Sequence, residues 1–238
     1  MESVCKGNPD MIKINHAVRA KYAVRIIEKL AGQKIFTLSE VQKVMLESLN
    51  ECNQAPNYND SYSSNYYQGM HENNLAFQKN NWLVSELDDI KKLNSNTIIE
   101  LACGNAVFSR LVAPYCKHVY AVDWAESPTT KRLPINVTFL RRDIVQDELP
   151  RGDLVCSADF LEHLPPQLLQ ITVKKIVNLS PFGYHKIACY DDGHSHLSIL
   201  PPWKWLFLFQ NENPAYIVKK IEFRRDDLKK IVIVICNF

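Results

Sequence analysis

Two stretches of the 238-residue chain bring together residue types that can do chemistry. The first is TIIELACGNAVFSRL, where Glu100 closes an apolar run and the small residues Ala102, Cys103, Gly104, Asn105 and Ala106 follow at once. A turn of small side chains lets a ligand approach the backbone, and the helix expected after it favours negative charge at its start. The next apolar run, HVYAVD, ends in Asp123, 19 residues beyond Gly104. A carboxylate so placed in a nucleotide-binding βαβ unit accepts hydrogen bonds from ribose hydroxyls. Turn and carboxylate together point to an adenosine-type cofactor. The second stretch is Asp159-Phe160-Leu161-Glu162-His163, joined later in the chain by His194 and His196 in DDGHSHLSILPPWKW. Imidazole titrates near neutral pH, so His163 or His194 can take a proton from a hydroxyl acceptor, and carboxylates beside imidazoles can also hold a divalent ion.

These residues need elements that bring them together. Apolar strand-like runs occur at 97–102, 118–123, 136–141, 153–157 and 185–190, with helical stretches at 106–113 and 166–179 between them. A further helix is expected through Leu75, Leu83, Leu87 and Ile90. Near-continuous Val/Ile/Leu strands separated by helices indicate a parallel sheet covered on both faces. At the C-terminus, YIVKKIEF and KIVIVICNF flank a polar turn at 224–227, which reads as an antiparallel hairpin. In a doubly wound sheet of this kind, loops leave the carboxyl ends of the strands over a shared crevice. Both stretches would then face one pocket. N-terminal to this unit, residues 11–50 read as two helices and 51–74 as a long Tyr/Asn-rich loop. The chain therefore divides into a helical cap and loop at 1–74 and an α/β domain at 75–238.

Which cofactor follows from what the turn lacks. A nicotinamide fingerprint would need glycines at 102, 104 and 107, but only Gly104 is present, and no GK[ST] of a phosphate loop follows. ELACGNA, AVDWAES and LRRDIVQDELPRGDLVCSADFLEHLPP resemble instead the successive motifs of the class I S-adenosylmethionine-dependent methyltransferases, over about residues 75–238. Ala102 and Ala106 depart from glycines common in that family, although both remain small. The resemblance implies a Rossmann-like, doubly wound, seven-stranded α/β sheet, mostly parallel with a C-terminal antiparallel hairpin. It implies S-adenosyl-L-methionine as cofactor. Glu100 would orient the turn and the methionine ammonium, and Ala102, Cys103 and Gly104 would offer backbone contacts. Asp123 would hold the ribose, Trp124 would lie against the adenine, Asp143 would address its amino group, and Ser157 would border the sulfonium. Asp159, His163 and His194 fall on the acceptor side as catalytic candidates.

The acceptor is narrowed by absences. The position after the fourth strand reads Ser157-Ala158-Asp159-Phe160 rather than the Pro-Pro-aromatic motif of amino-methylating DNA enzymes, and no Pro-Cys occurs. Members acting on small molecules and sugars are the better resemblance, with Tyr66, Tyr67, Trp203 and Trp205 available to wall a pocket. The expected acceptor is therefore an oxygen on a small-molecule or sugar-like substrate. Small-RNA 3′-end 2′-O-methyltransferases offer a narrower likeness, through 159–163 plus His194 or His196 as a metal site. Because Glu-His is widespread among relatives without metal, no metal ligand is assigned. A methyltransferase-like binding subunit without turnover is the third reading.

Composition bounds the rest. The chain is 46% hydrophobic and 23% charged with a net charge of +2, ordinary for a globular protein, and its basic pairs are dispersed, so nucleic acid is not the favoured partner. No apolar run approaches a membrane span, and no signal peptide is evident. The seven cysteines are scattered singly with no CxxC, which suits a reduced, cytoplasmic protein without disulfides or a zinc ribbon.

Overall fold

A computed structural model describes residues 63–193 and 195–238. The helices expected at 11–50 and the first half of the 51–74 segment lie outside the described residues, as does His194. Seven strands form one sheet: β1 (Thr97–Leu101), β2 (His118–Asp123), β3 (Val137–Arg141), β4 (Leu154–Ala158), β5 (Phe182–Ala188), β6 (Ile217–Phe223) and β7 (Ile231–Cys236). Their order is β3-β2-β1-β4-β5-β7-β6. The first five run parallel, and β7 pairs antiparallel with both β5 and β6. This is the doubly wound sheet with a closing hairpin that the sequence implies. Strand order reverses between β1 and β4, so a crevice opens where Leu101 and Ala158 end their strands.

Alternation along each strand feeds two cores. Ile99, Leu101, Val155, Ile187, Ile233 and Ile235 pack against α5 (Pro166–Val177) and α6 (Pro202–Gln210), through Leu169, Val173, Ile176, Trp205 and Phe209. Ile98, Val119, Ala121, Leu154, Cys156 and Val234 face the other way, onto Leu83, Ile90 and Phe108. Phe108 belongs to α4 (Val107–Val112), and Ile90 to α3 (Leu87–Lys91). Period-two side chains buried on both faces explain why these runs look uniformly apolar in sequence.

Four expectations are corrected. The 51–74 loop contains a helix, α1 (Ser64–Asn73), whose sole buried residue is His71. The helix expected through 75–90 is broken into α2 (Leu75–Lys79), a 3₁₀ turn at Val84–Glu86, and α3, because Asn80 is extended and ends α2. β5 starts at Phe182 rather than 185. Gly183, which suggests a break in sequence, sits inside the strand because a Cβ there would collide with Tyr216 Oη. Finally, the stretch DDGHSHLSILPPWKW, expected as a loop facing the pocket, passes at its end into α6, whose first turn accepts Pro202. The five cysteines among the described residues carry free thiols, and no helix among them is long and apolar enough to cross a membrane.

Candidate active site

The turn after β1 is built from left-handed residues. Ala102, Gly104 and Ala106 have φ of 52°, 53° and 53°. For alanine this conformation costs about 1–2 kcal/mol. Hydrogen bonds hold it in place: the Cys103 N–H donates to Val122 O (3.0 Å), and the Gly104 N–H to Asp123 Oδ2 (2.9 Å). Asp123 also accepts from Ala125 N through Oδ1 (2.9 Å), so one carboxylate fixes the ends of β1 and β2. Glu100 is buried behind the turn, where Oε2 accepts from the Ser109 N–H (3.0 Å) and Oγ–H, and Oε1 from Asn81 Nδ2 (2.9 Å). Burial pushes its carboxyl up to about 7, against those donors. Burial likewise raises Asp123, opposed by its backbone donors and by His71.

One cavity of about 990 Å³ spans this turn and the acceptor side. Glu100, Ala102, Cys103, Gly104, Asp123, Trp124 and Asp143 all line it, as do Asp159 and His163. Asp143 Oδ1 caps its own loop by accepting from Val145 N (2.8 Å). Ser157 is a correction: its Oγ turns into the core to His185 Nδ1 (2.9 Å), and Ala158 takes its place on the wall. Of the expected aromatic walls, Tyr66 and Tyr67 are present, with Tyr67 5.9 Å from the Trp124 ring. Trp205 is instead a core residue and Trp203 is exposed on α6.

On the acceptor side, Asp159 is held by Arg224, which donates to its two oxygens at 2.7 and 2.6 Å. The same guanidinium donates to Tyr190 Oη (3.0 Å) and lies 4.2 Å over the Trp82 ring. Asp159 thus serves as an anchor for the β6–β7 turn with its proton-accepting atoms engaged. His163 Nδ1 lies 3.1 Å from Ser195 O and 3.2 Å from Tyr67 Oη. A carbonyl only accepts, so Nδ1 carries the proton and Nε2 keeps its lone pair. His196 repeats the arrangement, with Nδ1 2.6 Å from Tyr190 O and its ring 5.0 Å from that of His163. Immediately before His163 in the chain comes Glu162, fully buried, whose Oε1 accepts from Ala188 N (2.8 Å) while Oε2 has no partner among the described residues. Ligand atoms of Glu162, His163 and His196 come within 4.8 Å of one another. Burial, with His196 nearby, lowers His163 to about 4, so its imidazole is neutral at pH 7.

Sequence reasoning missed His71, Asn81, Trp82 and Arg224. Arg224 was visible only as part of a polar turn, His71 lies on a helix without an apolar stripe, and Asn81 and Trp82 lie in the link between α2 and the 3₁₀ turn at Val84–Glu86.

No protein-family model and no curated protein matches the sequence. Solved structures do. A 1,6-didemethyltoxoflavin-N1-methyltransferase from Burkholderia thailandensis, with its acceptor and S-adenosylhomocysteine bound, superimposes with a TM-score of 0.56 at 15% identity, covering 73% of this chain and 85% of that one. The fold is that of S-adenosylmethionine-dependent methyltransferases. The magnesium protoporphyrin IX methyltransferase of Synechocystis PCC 6803, with S-adenosylmethionine bound, gives 0.54 at 11% identity, covering 75% and 98%. The methyltransferase domain of a bacterial Hen1 protein gives 0.52 at 16% identity, covering 68% and 98%.

Proposed function

We propose that the chain binds S-adenosyl-L-methionine and transfers its methyl group to a hydroxyl oxygen of a small-molecule or sugar-like acceptor. The observation that carries this is the single cavity joining the Gly104–Asp123 turn to His163. Its volume lies at the upper end of the roughly 300–1,000 Å³ of small-molecule sites, enough for a cofactor and a small acceptor together. The polar groups fit an adenosyl ligand: a carboxylate at the second strand end, a backbone turn open to approach, and Trp124 as an aromatic face.

When bound, S-adenosylmethionine supplies an electrophilic methyl group on a sulfonium sulfur. The protein's part is mainly orientation, since an in-line displacement gains most from held geometry. With the cofactor bound, His163 Nε2 would accept the proton of the acceptor hydroxyl as that oxygen takes the methyl group and the sulfonium becomes a neutral thioether. Ser195 O holds the tautomer this requires. Tyr66, Tyr67 and Leu164 enclose the acceptor side from water.

A second reading is favoured by one observation: Glu162 Oε2 is buried without a partner among the described residues, and ligand atoms of Glu162, His163 and His196 lie within 4.8 Å of one another. Glu162, His163 and His196 would then hold a divalent ion that polarises the acceptor hydroxyl, as the alternative of RNA 2′-O-methylation requires. Asp159, the first acidic residue of that pattern, is spent on Arg224.

One assay separates the readings. Protein incubated with methyl-labelled cofactor and cell extract is split into low-mass, protein and nucleic-acid fractions, with and without chelator. We expect chelator-resistant label in the low-mass fraction. His163→Ala should lower its rate on the order of 10²-fold or more while binding S-adenosylhomocysteine as before. Chelator-sensitive label in RNA would establish the second reading. Cofactor binding with no label in any fraction would make the chain a binding subunit.

A further inference from the structure

His71 lies on α1, outside every motif that the cofactor reading uses, yet it lines the cavity. It is 4% exposed, and its Nδ1 has no hydrogen-bond partner among the described residues. Leaving a buried polar atom unpaired costs about 1–3 kcal/mol, so a packed position that tolerates one calls for a partner supplied by a ligand. The position itself is fixed. Gln68, three residues earlier, donates to Glu126 O (2.9 Å) and accepts from Glu126 N (2.8 Å), tying α1 to the loop after β2. Gln78 donates to His71 O (2.7 Å), and the Phe77 ring meets the imidazole edge-on at 5.7 Å.

What the imidazole covers is the cofactor turn. His71 Cε1 is 3.4 Å from where a Cβ on Gly104 would lie, and Gly104 is the residue whose N–H is held by Asp123. The Asp123 charge also acts on His71, partly opposing the downward pull of burial on its basicity. A polar atom thus waits beside the carboxylate expected to hold ribose. We propose that His71 is a further cofactor-binding residue, whose Nδ1 hydrogen-bonds the ribose of an adenosyl ligand seated beside the Gly104 turn. This rests on the adenosyl reading of the cavity. It gives α1 a definite role: it completes the cofactor site in addition to covering it.

The test uses calorimetry on the full chain with two ligands, S-adenosylhomocysteine and methylthioadenosine, which keeps the ribose but lacks the amino-acid arm. His71→Phe preserves ring volume without nitrogen, and His71→Asn keeps a polar atom near the place of Nδ1. We expect His71→Phe to weaken both ligands by a similar factor of about tenfold, the worth of one ordinary hydrogen bond. His71→Asn should recover most of that loss. Ligand-free His71→Phe should melt no lower than the parent chain, because the variant removes an unpaired polar atom. Unchanged affinity in His71→Phe overturns the proposal, and so does a loss confined to S-adenosylhomocysteine, which would place the contact at the amino-acid arm. A loss of affinity that tracks a fall in ligand-free melting temperature would show a packing role only, and also overturns it. If the parent chain binds neither ligand, the adenosyl reading itself fails.

Discussion

Ala106 stands at φ 53° with its methyl fully buried, a combination in which several modest effects compete. Relief of left-handed strain by Ala106→Gly is worth about 1–2 kcal/mol. Against it stand the buried methyl, about 0.8 kcal/mol, and the greater freedom of glycine in the unfolded chain, about 0.4–1 kcal/mol. The terms nearly cancel, so chemical denaturation should place Ala106→Gly within about 1 kcal/mol of the parent. That balance explains how alanine persists where the turn asks for glycine. Ala106→Val has no such offset, since a β-branched residue at positive φ in a closed core is strained twice; it should lose more than about 2 kcal/mol. At this scale the cofactor turn was legible, because small residues at 102–106 and a carboxylate at 123 are a pattern of identities and spacing. The partners that engage Asp159 were not, since Arg224 reaches it only through the fold of a distant hairpin.

Among elements, the strands were read to within a few residues because the central ones are buried on both faces and mostly apolar. Helices α1 and α6 were not. α1 rests on a cavity instead of a core, so its sequence carries no apolar stripe, and α6 is apolar on nearly every side and shows no 3.6-residue contrast. What fastens the 3₁₀ turn at Val84–Glu86 to the sheet is a charge network invisible to periodicity. Glu86 is fully buried and accepts from Lys186 Nζ (2.6 Å), Lys220 Nζ (2.8 Å), Tyr184 Oη (2.8 Å) and Ser85 Oγ (2.8 Å). These donors overcome its desolvation and hold the carboxyl at about 2. A lowered carboxyl contributes stability that is complete above its unfolded value near 4.5 and is lost as pH falls towards 2. The contribution is on the order of 3 kcal/mol. Melting temperature measured between pH 5 and 2 should therefore fall less steeply in Glu86→Gln than in the parent. At pH 7 the variant should be the less stable of the two, because Lys186 and Lys220 lose a buried counter-charge.

For the molecule as a whole, the sheet reversal between β1 and β4 places binding groups from both cores around one opening, so filling the cavity should stabilise the entire domain. S-adenosylhomocysteine at about 100 times its Kd would add about 2.7 kcal/mol, or roughly 5–10 °C in melting temperature for a domain of this size. NADH should add nothing, since the turn lacks the glycines a pyrophosphate needs. The pH dependence of this shift carries more information than its size. Glu100 titrates near 7 in the ligand-free cavity because burial opposes its charge. An ammonium group bound beside it favours the ionised form, so binding would release a proton wherever Glu100 is protonated in the free protein. Affinity for S-adenosylhomocysteine should consequently rise from pH 5.5 to about 7 and level off above that, by up to about tenfold per pH unit on the acid side. Methylthioadenosine has no ammonium and should bind with a flatter profile over the same range. Glu100→Gln should flatten the S-adenosylhomocysteine profile and lower its plateau. If both ligands show the same slope in the parent chain, Glu100 acts only through the turn it holds at Ser109 and Asn81, and the amino-acid arm lies elsewhere in the cavity.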